Sequence, residues 1–131
     1  MSTVIVGTVA FDKIETPFGK TDKILGGAAT FISLTASHFT KDVHIISVVG
    51  GDFLNEYIKL LTERGINTDG LQVKTEGKSF YWSGLYHTDM NTRDTLVTEL
   101  NELADFDPIL PENCLSPEFV VLGNLTPSVQ M

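Results

Sequence analysis

Cysteine, basic residues and long apolar runs are all scarce in this sequence of 131 residues. Cys114 is the one cysteine, so no disulfide can form within the chain and no cluster of thiolates can hold a metal. We expect Cys114 to be a buried or incidental thiol. His38, His44 and His87 lack the spacing of metal ligands, and no metal site is predicted.

The low content of basic residues limits the partners of the protein. Nine Lys and Arg residues against seventeen Asp and Glu residues give a formal net charge of −8, which opposes binding to nucleic acid or to an anionic membrane surface. No apolar run approaches the roughly 20 residues of a membrane-spanning helix. The N-terminus also lacks the basic and then apolar pattern of a secretory signal. We therefore expect a cytoplasmic protein without nucleic acid or membrane as a partner.

Apolar runs separated by glycines predict an α/β fold. Residues 4–10 (VIVGTVA) and 43–49 (VHIISVV) are nearly continuous apolar runs, which is typical of strands covered on both faces of a sheet. Gly26 and Gly27 precede a stretch with Ala, Leu and Phe at near-helical spacing, which predicts a buried helix. Residues 119–122 (FVVL) are predicted to form another buried parallel strand.

A second helix is predicted after the second strand. Asp52 is a good N-cap for a helix over residues 53–64, and Gly65 is a good stop. Pro127 is a further candidate for a helix start. The alternation of strands and helices indicates a doubly wound, mostly parallel sheet flanked by helices.

Two segments depart from this alternation. Residues 11–25 mix polar and apolar residues around a proline and a glycine, which predicts two short extended pieces off the main sheet. Residues 78–87 (KSFYWSGLYH) are rich in aromatic residues, and residues 95–100 alternate Leu and Val with polar residues. Both patterns predict antiparallel strands. A short helix over residues 96–103 is the alternative for the second of these.

The first candidate site combines Asp12, just after the first strand, with Gly26 and Gly27 at a helix N-terminus. In open α/β sheets, ligands bind beyond the carboxyl ends of the strands. A carboxylate there can accept hydrogen bonds from sugar hydroxyls, and paired glycines let a ligand approach the backbone. Because short glycine motifs are weak signals, a tight turn beside an ordinary loop carboxylate remains the alternative.

Three motifs resemble the N-terminal signature of the ribokinase-like (PfkB) kinases. They are Gly7-x4-Asp12, Gly26-Gly27-Ala28-Ala29-Thr30-Phe31 and Val49-Gly50-Gly51-Asp52, in matching order and spacing over residues 4–65. The resemblance implies transfer of a phosphoryl group from ATP, with Mg²⁺, to a hydroxyl of a sugar or nucleoside by the full-length protein. It also implies that Asp12 and the backbone of Gly26 and Gly27 hold substrate hydroxyls.

The chain departs from that family at Phe31, where the signature usually has an asparagine. A phenyl ring offers stacking in place of an amide contact, which suits a nucleobase or another less polar group. Phe31 is therefore predicted to contact the substrate.

The aromatic segment resembles the small β-sheet lid with which family members cover the sugar site. Strand alternation puts Phe80, Trp82 and Tyr86 on one face, so Trp82 is predicted to face substrate. The resemblance implies lid segments at about residues 11–25 and 71–103, and a possible homodimer through the lid strands. Packing of these aromatics in the protein's own core is the alternative. Asn124 follows the FVVL strand and could reach the same crevice, or could satisfy local backbone.

The residues that perform the transfer in the resembled family have no counterpart here. The sequence contains neither the Gly-Ala-Gly-Asp signature, which holds phosphates and supplies the base, nor a P-loop. No catalytic residue is assigned, and residues 1–131 are interpreted as the truncated N-terminal portion of one kinase domain, inactive alone. A non-enzymatic α/β module that binds a ligand or self-associates is the alternative. A dinucleotide-binding domain is disfavoured because no Gly-x-Gly-x-x-Gly follows the first strand.

Overall fold

The computed structural model describes residues 2–131, which form two β-sheets with helices against the larger one. The elements in chain order are β1 (Ser2–Val6), β2 (Ala10–Thr16), β3 (Gly19–Lys20), β4 (Ile24–Gly26), α1 (Ala28–Ala36), β5 (Asp42–Gly50), α2 (Asn55–Glu63), β6 (Ile66–Asn67), β7 (Leu71–Lys74), β8 (Phe80–Tyr86), β9 (Arg93–Glu99), β10 (Phe119–Leu122) and α3 (Pro127–Gln130). Short 3₁₀ helices cover Asn101–Asp105 and Glu112–Cys114. None of the helices within residues 2–131 is long and apolar enough to span a membrane.

The main sheet is parallel throughout. Its order is β10-β1-β5, and both β6 and β7 pair with the remaining edge of β5. Residues 43–50 of β5 are all buried, because the strand has neighbours on both edges and packed layers on both faces. The predicted α/β class, with a parallel sheet flanked by helices, is confirmed.

The two faces of the main sheet carry separate apolar clusters, as strand alternation requires. Ile5 and Ile45 belong to one cluster, which also contains Leu61 of α2. Val6 and Ile46 belong to the other, which includes Cys114. Cys114 is 2% exposed, so the expectation of a buried thiol is confirmed.

The strand predicted at residues 119–122 is parallel to β1, but it is not buried. All four residues of β10 are exposed, from 37% at Val121 to 55% at Val120. Within residues 2–131, β10 is the edge strand of the sheet and pairs only with β1. An apolar run therefore identified the strand and its direction but not its burial.

The helix predicted after Gly26 and Gly27 is α1, and it is buried on one side only. Ala29, Thr30 and Ser33 are buried against the sheet, whereas Phe31 is 58% exposed. The prediction of a buried helix is therefore corrected to an amphipathic one that turns Phe31 away from the core.

The second sheet has the order β3-β2-β8-β9, and β4 also pairs with β2. The run predicted as one strand over residues 4–10 breaks after Val6, and β2 begins at Ala10 in this other sheet. β8 is antiparallel to β9 but parallel to β2, which corrects the purely antiparallel prediction. Residues 71–74 of the predicted lid segment belong to β7, which pairs with β5 of the main sheet.

Asp52 joins the two sheets and does not cap α2. The N-cap is Leu54, while the Oδ1 atom of Asp52 accepts hydrogen bonds from the backbone N–H and the hydroxyl of Ser79, at 2.8 and 2.7 Å. The Gly50 N–H donates to the same hydroxyl at 3.0 Å. A Cβ atom at Gly50 would overlap the backbone of Lys78. The Val-Gly-Gly-Asp motif thus ties the start of β8 to the end of β5, a tertiary role that local sequence rules do not contain.

Candidate functional site

A cavity of about 380 Å³ opens where the second sheet meets the carboxyl ends of β1 and β10. The structure brings five of the six predicted site residues to its wall: Asp12, Gly27, Phe31, Trp82 and Asn124. The sixth, Gly26, is buried and lies behind the carboxyl group of Asp12. Thr8 and Arg93, which sequence reasoning did not assign, also line the cavity.

Thr8 organises the polar end of the cavity. Its hydroxyl accepts a hydrogen bond from the N–H of Ala28 at 3.0 Å and donates to Oδ1 of Asn124 at 2.9 Å. Its carbonyl oxygen accepts from the N–H of Ala29 at 2.9 Å. Thr8 therefore satisfies two amides in the first turn of α1 and fixes the side chain of Asn124, whose Nδ2 group is left to donate to a ligand.

Gly27 makes this arrangement possible. It is the N-cap residue of α1 and has φ 98°, a conformation in which an L side chain is strained. A Cβ atom there would also lie 2.8 Å from the carbonyl carbon of Thr8. The close approach of α1 to Thr8 therefore requires glycine at this position.

Asp12 lies within β2, not in the loop after the first strand. It is partly buried, and burial raises the pKa of its carboxyl group above its ordinary value. A Cβ atom at Gly26 would overlap that carboxyl group. Gly26 therefore makes room for Asp12, and its predicted backbone contact with substrate stays a prediction.

The aromatic end of the cavity comes from β8. Phe80, Trp82 and Tyr86 line the cavity, while Tyr81 packs against the core on the opposite face. Strand alternation therefore separated these aromatics correctly, and the alternative of core packing holds for Tyr81.

Trp82 is held in a defined orientation. Its indole Nε1–H donates to the hydroxyl of Thr95 at 3.3 Å, and a Cβ atom at Gly84 would overlap its ring. The ring thus lies over Gly84, and the guanidinium group of Arg93 lies 5.9 Å from the ring centroid. Trp82 is also the direct cross-strand neighbour of Asp12, so the indole ring and the carboxyl group come from adjacent positions of β8 and β2.

The histidines lie away from the cavity. His44 is buried and bonded to Asp42 at 2.6 Å, and His87 is bonded to Asp94 at 2.9 Å. Residues 2–131 contain no group of three His, Cys, Asp or Glu side chains arranged to hold a metal ion. The cavity lining therefore combines polar side chains, aromatic rings and one guanidinium group.

Known proteins with related sequences or folds include several kinases. The cytidine kinase of Thermococcus kodakarensis is 24% identical to the chain over 131 residues, which cover 46% of that kinase. The nucleoside kinase of Methanocaldococcus jannaschii, an archaeal member of the ribokinase family, matches 98% of this chain and 46% of its own at a TM-score of 0.75 and 21% identity. The nucleoside kinase of Burkholderia thailandensis in complex with inosine matches 79% of this chain and 38% of its own, with a TM-score of 0.68 and 17% identity. No family model matches the chain.

These matches identify the fold as an incomplete ribokinase-like fold. The chain spans less than half the length of the related proteins, and the parallel sheet with its small second sheet corresponds to their N-terminal part. The resemblance drawn from the glycine motifs is confirmed.

Proposed function

We propose that the protein containing this chain transfers a phosphoryl group from ATP, with Mg²⁺, to a hydroxyl of a nucleoside, and that this chain supplies the nucleoside site. The observation that supports the proposal is a single cavity whose lining includes Asp12, Asn124, Phe31 and Trp82. Related proteins that are nucleoside kinases support the same substrate class.

The polar end fits a ribose. The Asp12 carboxylate accepts hydrogen bonds from sugar hydroxyls, and the Nδ2 group of Asn124 donates to one. Gly27 has no side chain, so the sugar can approach the backbone at the start of α1. Together these groups hold a hydroxyl in a fixed direction, which is what a positioned acceptor of a phosphoryl group requires.

The aromatic end fits a planar base. Phe31 belongs to α1 and has 58% of its surface exposed, Trp82 belongs to β8, and both line the cavity. A base between them gains apolar contact with both, which contributes roughly 1 kcal/mol beyond the area that it buries. A free pentose has no group that fills this space.

The nucleoside preference gives the first expected result. In calorimetric titrations, adenosine should bind more tightly than ribose, and Phe31→Asn should reduce that preference roughly fivefold because stacking on the phenyl ring is lost. Phe39→Asn is the matched control, since Phe39 is 83% exposed and lies outside the cavity. If Phe31→Asn keeps the wild-type preference, Phe31 is an ordinary surface residue of α1 and a simple sugar becomes the better substrate.

The chain alone is expected to bind nucleoside without phosphorylating it. The sequence contains no Gly-Ala-Gly-Asp signature to hold the phosphates and accept the hydroxyl proton. The measurement is the formation of nucleoside monophosphate from ATP by the purified 131-residue chain. Formation of product by this chain would contradict the proposal that it binds nucleoside but lacks the groups for phosphoryl transfer. Binding without product agrees with that proposal.

A further inference from the structure

Arg93 is the one basic residue among those of residues 2–131 that line the cavity. It lies on β9, directly across from Tyr86 of β8, and its side chain reaches back over the ring of Trp82. A ligand that contacts Trp82 in this cavity would therefore lie close to the guanidinium group.

The donors of Arg93 are not used by a neighbouring carboxylate. Within residues 2–131 the salt bridges join other groups, and the adjacent Asp94 is bonded to His87 at 2.9 Å. Thr95 is likewise occupied by the indole N–H of Trp82. The local hydrogen bonds thus fix the surroundings of Arg93 and leave its guanidinium group facing the cavity.

A guanidinium group carries five N–H donors in one plane and no acceptor. It pairs with two acceptors that lie side by side on the edge of a ligand. Cytosine presents such a pair at N3 and O2, and a 6-oxopurine presents one at N7 and O6. Uracil interrupts the corresponding edge with its N3–H donor, and adenine does so with its amino group at C6.

We propose that Arg93 determines base specificity, and that it selects nucleosides whose base has two adjacent hydrogen-bond acceptors. The inference rests on the proposed function, because it takes the aromatic end of the cavity as the base site. The favoured ligands are cytidine over uridine and inosine over adenosine. Each pair shares the sugar and the ring size and differs in its hydrogen-bonding groups. Because the cytosine pair and the purine pair lie on opposite sides of the base, inosine binds with its base turned about the glycosidic bond relative to cytidine.

The test is a set of calorimetric titrations of the 131-residue chain with these four nucleosides, with Trp82 fluorescence as a second readout, since Trp82 is the one tryptophan. Cytidine should bind roughly five- to hundredfold more tightly than uridine, and inosine than adenosine, which is the discrimination expected of one bidentate contact. Arg93→Met should abolish both preferences while uridine binding changes little. Arg93→Lys should lose most of the preference too, because an ammonium group cannot form the paired contact.

Arg64→Met is the matched control. Arg64 is the other arginine of the chain and lies at the end of α2, outside the cavity, so this variant should keep the wild-type preferences. Arg93 is exposed, and its substitutions should leave the fold intact. Equal binding of all four nucleosides, or preferences that survive in Arg93→Met, would overturn the role of Arg93 and leave the nucleoside site standing. Failure of every nucleoside to bind would overturn the proposed function and this inference with it.

Discussion

Gly27→Ala is expected to lower the free energy of unfolding by roughly 3 kcal/mol, because backbone strain and overpacking add at this position. Gly27 has φ 98°, which an alanine side chain adopts only under strain. The new Cβ atom would also press against the carbonyl group of Thr8, whose hydrogen bonds hold the start of α1. Chemical denaturation followed by circular dichroism measures the change.

Gly65→Ala is the matched control for this experiment. Gly65 has φ 81°, and no atom lies within 4 Å of a Cβ atom built there. This variant carries the conformational cost without the overlap and should lose only about 1 kcal/mol. If the two variants lose equal stability, the contact between α1 and Thr8 makes no contribution of its own.

Asp12→Ala is expected to weaken nucleoside binding by roughly 10- to 100-fold, the loss expected when hydrogen bonds to a charged acceptor are removed. In a form of the protein that phosphorylates the nucleoside, KM should rise and kcat should fall, because the acceptor hydroxyl is no longer held in position for attack on the phosphoryl group. Calorimetric titration measures the binding. Asp22→Ala removes the same charge at an exposed position outside the cavity and should leave the affinity unchanged. An equal loss of affinity in Asp22→Ala would show that the effect of Asp12→Ala comes from net charge alone.

The raised pKa of Asp12 adds a pH dependence with a definite sign. The ionised carboxylate is the form that accepts hydrogen bonds, so affinity should fall as the pH is lowered through the raised pKa. Stability should change in the opposite direction at this group, because the folded protein holds the proton more tightly than the unfolded chain does. Asp12→Asn should remove the pH dependence of binding over this range. If the variant retains it, another group is responsible.

The sequence predicted best the features that local burial controls. β1 and β5 are nearly continuous apolar runs because both of their faces are covered. The alternation of β8 separated Tyr81 from Trp82 correctly, since strand geometry fixes it. Five of the six predicted site residues meet at one cavity because the carboxyl ends of strands and the start of α1 converge there.

The errors arose where a distant partner decides the outcome. Asp52 has the chemistry of an N-cap, but its carboxylate accepts a hydrogen bond from Ser79, which lies 27 residues away in the sequence. The exposure of β10 depends on which strands flank it, and no pattern within four residues encodes that. Arg93 carries no motif, and only the pairing of β9 with β8 brings it over Trp82.

The pairing of Asp12 with Trp82 fixes two of the cavity residues relative to each other within the second sheet. The two residues are cross-strand neighbours, so any movement of that sheet would carry both, whereas Asn124 follows β10 of the main sheet. If the proposed nucleoside contacts Asp12, Trp82 and Asn124, it bridges the two sheets, and its affinity is then linked thermodynamically to their relative placement. The bond between Asp52 and Ser79 ties β8 to the end of β5, so we expect its loss to change the affinity from outside the cavity.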